Sequence, residues 1–159
     1  MKYSFYNKRI IGKMNTATHR GKFHMACRNQ DIDTMKTMIE NGFDPSFDNN
    51  TMLKQCIMSQ YATSINILLE ECSKFGKFDE EVFKMSLLTN NINYVKLLLD
   101  HPNTTIPKNL EKLWEDVEQI LRLFYPHHEI ETLLDDEIKQ LVTEHVFRLD
   151  GPVYNDNIL

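Results

Sequence analysis

Hydrophobic and polar residues in the middle of the chain follow a pattern that repeats every 30 positions. Three short segments, 23–27, 53–57 and 83–87, align at this offset, and each begins with a large apolar residue. A small residue follows three places later, namely Ala26, Cys56 and Ser86. Later in each copy come an apolar residue and an apolar pair: Met35 with Met38 and Ile39, Ile65 with Leu68 and Leu69, and Val95 with Leu98 and Leu99. A fixed period of this size indicates stacked structural repeats.

Each unit is predicted to form two short α-helices. In the first unit the second helix is expected over 34–41, because Met35, Met38 and Ile39 are spaced so that they share one helical face. Gly42 then stands where a helix end favours a left-handed residue, and the stretch 43–50 is rich in turn-forming residues. One such pair cannot bury its apolar face alone, so we expect the pairs to stack around a common core.

Two longer amphipathic helices are predicted after the third unit. The first places these residues on one face: Leu110, Leu113, Trp114, Val117, Leu121 and Phe124. The second, with Pro126 as its start, does the same for Ile130, Leu133, Leu134, Ile138, Leu141, Val142 and Val146. Repeat arrays need an atypical terminal unit that covers the last apolar face. We therefore predict a basic N-terminal arm (1–14), three repeats (15–107), C-terminal capping helices (108–149) and a tail (150–159).

The first unit resembles an ankyrin repeat. His24 falls at the histidine of that family's pattern, Gly42 at its glycine and Asp44 at its aspartate. The second unit lacks the histidine and the glycine, and the spacing is 30 where ankyrin units have about 33 residues. The resemblance implies an all-α fold, an ankyrin-type helical-hairpin solenoid with a C-terminal capping helix pair. It also implies a non-enzymatic protein that binds a protein partner as an adaptor or inhibitor.

In ankyrin-type proteins, partners contact the finger tips and the exposed residues of the first helices. Carried over by position, the partner-binding residues would be Arg20, Arg28, Phe47, Asp48, Asn50, Met58, Lys77, Phe78, Glu80 and Leu88. Phe47, Met58, Phe78 and Leu88 are the expected anchors, since apolar clusters rimmed by charge are typical of interaction sites. The alternative is that the shortened repeat turns Phe47 and Phe78 inward between units.

Charge is distributed unevenly along the chain. The segment 1–30 carries seven of the 18 Lys and Arg and none of the 23 Asp and Glu. This asymmetry predicts an arm that packs against the acidic body of its own chain, or one that docks on an acidic surface. The second possibility gives the alternative function, a structural or assembly component that docks through residues 1–14. Nucleic-acid binding is not favoured, because no run of Lys and Arg exceeds two residues.

The titratable residues predict neither catalysis nor a metal site. His24 and Cys27 lie three residues apart, but zinc sites need a second pair, which Cys56 and Cys72 do not supply. The resemblance to ankyrin repeats implies that His24 is structural, with a hydrogen bond to backbone, and that Cys27 and Cys56 lie in the core. No glycine-rich phosphate loop is present. The adjacent pair His127-His128 would point about 100° apart on a helix, which disfavours a shared metal. No enzymatic activity, cofactor or metal is therefore predicted.

The cysteines and the hydropathy pattern indicate where the protein acts. Three cysteines without C-x-x-C spacing suit free thiols in a reducing compartment. No apolar run approaches the roughly 20 residues that span a membrane, and no secretory signal is recognisable. We expect an intracellular, cytoplasmic protein. Abundant asparagine, lysine and isoleucine suit an AT-rich genome, which makes a viral protein in the host cytoplasm one hypothesis.

Overall fold

The computed structural model describes residues 16–126 and 133–150, and the regular secondary structure in these ranges is entirely helical. The helices are α1 (Ala17–Arg28), α2 (Ile32–Glu40), α3 (Phe47–Ser59), α4 (Ala62–Ser73), α5 (Glu80–Leu88), α6 (Ile92–Asp100), α7 (Leu110–Phe124) and α8 (Asp136–Asp150). The predicted all-α class is confirmed. In the described ranges, no helix combines the length and the apolar character needed to cross a membrane.

The helices pack as neighbours in two rows. Three pairs consecutive in sequence contact each other: α1 with α2, α3 with α4, and α5 with α6. The first helices also contact in order, α1 to α3, α3 to α5 and α5 to α7, while α2 contacts α4 and α6 contacts α8. The longer helices α7 and α8 therefore extend the two rows in the same order as the three preceding pairs.

Small residues line the contacts between first helices. Ala26, Cys56 and Ser86 are 4%, 1% and 0% exposed, so the repeated small position lies in the core. In the second row, the buried Ser64 hydroxyl donates a hydrogen bond of 2.7 Å to the Cys27 carbonyl oxygen in the preceding unit. A buried hydroxyl needs such a partner, and the bond joins the first two units in the interior.

A residue in the left-handed conformation follows each of the helices α1, α3 and α5. Gln30, Gln60 and Asn90 have φ values of 52°, 58° and 51°, and they occupy the same position of successive units. After Gln30 and Gln60 the next backbone N–H turns back to the last helical turn: Asp31 donates to the Ala26 carbonyl and Tyr61 to that of Cys56. This closure satisfies carbonyls that a helix end would otherwise leave free.

The side chains of Gln30, Gln60 and Asn90 form an amide ladder between units. The Gln30 amide oxygen accepts a hydrogen bond of 3.0 Å from the Thr63 backbone N–H, at the start of the next unit's second helix. The Gln60 amide oxygen accepts one of 3.1 Å from the Asn91 side chain. The Asn90 amide oxygen accepts one of 3.0 Å from the Asp135 backbone N–H. The amide ladder thus links every unit to its successor at the same place.

The start of α8 differs from the prediction. Residues 133–135 are not helical, so the predicted helix start at Pro126 is wrong, and residues 127–132 lie outside the described ranges. The Glu118 carboxylate accepts hydrogen bonds from the backbone N–H groups of Leu133 and Leu134, at 2.9 and 2.8 Å. These bonds anchor the non-helical residues just before α8 to α7, and the Asp135 side chain then accepts a hydrogen bond from the Glu137 N–H in the first turn.

The turn over 43–50 also departs from regular helix. Asp48, Asn49 and Asn50 all have positive φ, between 49° and 63°. Asn and Asp tolerate the left-handed conformation better than other non-glycine residues. Three of them in succession turn the chain sharply before the right-handed part of α3.

Replacing Ala26 by leucine tests the seam between first helices. The substitution adds three carbons at a 4%-exposed position, and we expect a loss of about 1–3 kcal/mol in the free energy of unfolding, because overpacking displaces neighbouring helices. Urea denaturation followed by circular dichroism measures it. The control is Met25→Leu, next in sequence but 49% exposed, which should change little. Equal losses in the free energy of unfolding for the two substitutions would contradict close packing at Ala26.

Asn90→Gly tests the amide ladder. Glycine keeps the left-handed turn without strain but removes the hydrogen bonds to Asp135 and Leu133. We expect a loss of about 1 kcal/mol in the free energy of unfolding, since these bonds are solvent-exposed. Asn66→Ala, an exposed asparagine on α4, should stay within about 0.5 kcal/mol of wild type. An unchanged unfolding midpoint for Asn90→Gly would argue against a stabilising ladder.

Candidate functional site

A groove of about 190 Å³ opens between α1 and α3 on the first-helix side of the molecule. We call it the α1/α3 groove, and its lining residues are His24, Arg28, Met52, Gln55, Cys56, Ser59 and Tyr61. The groove thus lies between the first two helices of the first row.

The walls of the α1/α3 groove are polar and its floor is apolar. His24 and Arg28 lie one turn apart on α1, and Gln55 and Ser59 lie one turn apart on α3, all four being exposed. The floor consists of the buried side chains Met52 and Cys56. Tyr61, in the turn after α3, closes one end. Each wall residue carries at least one hydrogen-bond donor.

The α1/α3 groove carries one formal charge, the positive charge of Arg28. None of its lining residues is Asp or Glu. Among the described residues no carboxylate lies within ion-pairing distance of Arg28, whereas Arg20 on the same helix pairs with Asp48 at 3.5 Å. Within the described part of the chain, the exposed guanidinium of Arg28 thus has no ionic partner.

Methionines extend this surface along the first helices. Met25 on α1 is 49% exposed, and Met58 on α3 and Met85 on α5 are half-buried against the core. Methionine is flexible and polarizable, so it adapts to different contact shapes. The first-helix side thus offers apolar contact area beside a polar groove.

Four residues predicted to bind a partner are buried, which corrects their expected exposure. Phe47, Phe78, Leu88 and Asn50 are 9%, 1%, 7% and 7% exposed. The inward alternative holds for both phenylalanines.

Neighbouring groups explain why both rings are inside. The Phe47 ring packs edge-on against Phe43 at 5.6 Å between ring centroids. The Phe78 ring lies 5.3 Å from that of His101, while the Phe78 backbone N–H donates to the Asn103 carbonyl at 2.9 Å. The short turns leave these rings no path outward, so neither can anchor a partner.

Two further predicted residues are engaged with each other and with the buried ring. The Arg20 guanidinium lies 4.9 Å from the Phe47 ring centroid and 3.5 Å from the Asp48 carboxylate. Both contacts connect the first unit to the second. Arg20 and Asp48 therefore hold units together and contribute less to an external contact than expected.

Lys77 and Glu80 are exposed, as the prediction required, but they lie away from the α1/α3 groove. Glu80 lines a second groove of about 190 Å³ beside α7, together with Lys84 and Asp116. There the Lys84 ammonium lies 3.8 Å from the Asp116 carboxylate. Because both signs of charge line it, this second groove carries no clear preference for a charged ligand.

Of the predicted surface, Arg28 and Met58 remain on the first-helix side. Sequence reasoning placed His24 as a structural histidine, but it is exposed in the groove wall. It also omitted Met25, Gln55 and Met85, which occupy one register, two places after the large apolar residue of each unit. The sequence does carry a signal for these residues. Exposed positions of the repeat recur with the same 30-residue period as the buried ones, so they can be aligned in the same way.

The three thiols are buried and free. A hydrogen bond with Cys56, reinforced by burial, raises the pKa of Cys27, and burial raises the pKa of Cys72. The thiolate is the nucleophilic and metal-binding form. Across the described residues no three His, Cys, Asp or Glu side chains gather as metal ligands. His127 and His128, like the arm 1–14, lie outside the described ranges.

Comparison of the chain with protein-family models, with curated proteins and with solved structures finds no match.

Thiol titration tests the burial of the cysteines. With 5,5′-dithiobis(2-nitrobenzoate) at pH 8, we expect slow reaction in the folded protein, because all three thiols are buried. In addition, the hydrogen bond with Cys56 raises the pKa of Cys27 and burial raises the pKa of Cys72, so both thiols form less of the reactive thiolate. In guanidinium chloride all three thiols should react at once. Rapid stoichiometric reaction of one native thiol would contradict this, and Cys56 on the groove floor would be the first to check.

Proposed function

We propose that this chain is a non-enzymatic protein-binding module of the ankyrin type, acting as an adaptor or inhibitor. The observation that carries the proposal is the row of first helices, which has an open groove with polar walls between α1 and α3 and one partly exposed methionine on each of α1, α3 and α5. This surface combines adaptable apolar contact area with hydrogen-bond donors, which is what a protein interface requires.

The organisation of the chain supports the ankyrin part of the proposal. Helix pairs recur with the period of the sequence repeat, and their first helices form a continuous row. Repeat proteins of this kind present extended binding surfaces along such rows. The residues we assign to the surface are His24, Met25, Arg28, Gln55, Met58, Ser59 and Met85.

The buried phenylalanines change the way in which binding would occur. Without Phe47 and Phe78 as anchors, the apolar contribution of the surface we assign comes from Met25, Met58 and Met85. These side chains expose less area than aromatic anchors. We therefore expect an interface that depends on several modest contacts and on the polar groove beside them.

Affinity capture with a charged double variant tests the proposed surface. In Met25→Glu/Met58→Glu, two carboxylates replace apolar contacts on the first-helix side, and proteins captured from the native cell by the wild type should be lost. Mass spectrometry compares the two samples, and circular dichroism checks folding. The milder variant Met25→Gln/Met58→Gln should weaken capture while staying close to native stability.

Asn66→Glu/Asn93→Glu is the matched control, since it adds the same charge at exposed positions of α4 and α6, in the second row. It should capture as the wild type does. Capture that survives the methionine variants but disappears on removal of residues 1–14 would favour the assembly component that docks through its basic arm.

A further inference from the structure

We propose that the α1/α3 groove binds one acidic side chain, Asp or Glu, of a protein partner. This inference rests on the proposed function and specifies the chemistry of its central contact. The four polar wall residues and Tyr61 surround the carboxylate, and Arg28 supplies the charge.

The size of the groove fits one side chain. Sites for small molecules and cofactors usually measure about 300–1,000 Å³. The α1/α3 groove measures about 190 Å³. A single carboxylate with its aliphatic stem fits there, whereas a nucleotide or an aromatic cofactor does not.

The hydrogen-bonding character of the groove fits an acceptor. Arg28 presents a planar guanidinium, which binds carboxylates through two parallel hydrogen bonds. The amide of Gln55 and the hydroxyls of Ser59 and Tyr61 can donate from the remaining sides. The apolar floor of Met52 and Cys56 suits the aliphatic part of a Glu side chain. No lining group would repel a carboxylate.

Comparison between units gives an independent argument. His24, Lys54 and Lys84 occupy the same register of the three units. In the later units this position contacts an acid from the following unit, since Lys54 pairs with Asp79 at 3.1 Å and Lys84 with Asp116 at 3.8 Å. Asn49 and Cys56 follow His24 at the same distances along the chain at which Asp79 follows Lys54 and Asp116 follows Lys84. Both of these residues are uncharged.

Among the described residues, the first unit therefore has no carboxylate at the place where Asp79 and Asp116 lie in the later units. An Asp or Glu of another protein would bring a carboxylate to that place, beside His24 and Arg28. A protein source is favoured over nucleic acid because the chain as a whole has a net charge of −5 and the groove accepts a single group.

Peptide selection on the full chain tests this inference. A random twelve-residue peptide library displayed on phage is panned against immobilised wild type, and recovered peptides are labelled with fluorescein for anisotropy titration. We expect the peptides to share an Asp or Glu. Changing that residue to Asn or Gln should weaken binding about ten-fold, and raising NaCl should weaken it further.

Arg28→Glu should lower the affinity at least ten-fold, and it should regain affinity for a peptide whose acid is changed to Lys. Lys36→Glu is the control, because Lys36 is exposed on α2 and the charge change is identical. It should bind within two-fold of wild type. The positive charge of Arg28 also stabilises the C-terminal end of α1 through the helix dipole. Arg28→Gln therefore serves as a second variant, which places no negative charge at that end and for which we expect a smaller loss of peptide affinity.

The possible failures are distinguishable. Two results would overturn the carboxylate site and leave the proposed function standing. One is that the selected peptides share no Asp or Glu and lose affinity only when Met25, Met58 or Met85 is changed. The other is that their affinity is the same for Arg28→Glu as for wild type. A fluorescein-labelled twelve-nucleotide RNA that binds more tightly than every peptide, in an Arg28-dependent way, would overturn it in favour of nucleic acid. Recovery of no peptide, together with unchanged capture by Met25→Glu/Met58→Glu, would overturn both proposals.

Discussion

The contact between successive helix pairs is the interaction on which this structure depends. Several helices are only nine residues long, and isolated helices shorter than about 12–15 residues are marginal in water. Their stability must come from tertiary packing. Ala26, Cys56 and Ser86 make that packing possible, because side chains this small let neighbouring helices approach closely. The apolar core is then continuous from the first pair to α7 and α8.

Polar contacts between units decide which parts of the seam remain open. Arg20 with Asp48 joins the first two units, Lys54 with Asp79 the next two, and Lys84 with Asp116 the last two. In the first of these pairs, Arg20 lies near the N-terminal end of α1. In the later two pairs, Lys54 and Lys84 lie near the middle of α3 and of α5. The C-terminal half of α1 is thus left without an ionic link to α3, and the groove opens there.

Sequence reasoning recovered the elements better than the surface. The repeat period identified the core positions, because buried apolar residues must recur with the helix pairs. The repeat period did not predict that Phe47 and Phe78 are buried. Their burial depends on short turns, and local hydrogen bonds set the paths of these turns. The predicted start of α8 was wrong for a similar reason: Glu118, fifteen residues before Leu133, accepts hydrogen bonds from the non-helical residues ahead of the helix.

The amide ladder makes growth of the array directional. Gln30, Gln60 and Asn90 each reach forward to the following pair, and the last rung spans 45 residues to Asp135 where the first spans 33 to Thr63. The longer span accommodates the enlarged final pair without changing the rung itself. A helix pair duplicated whole within the array would carry both the amide and the buried small and apolar positions that its neighbours contact, so the chain is suited to lengthening by internal duplication.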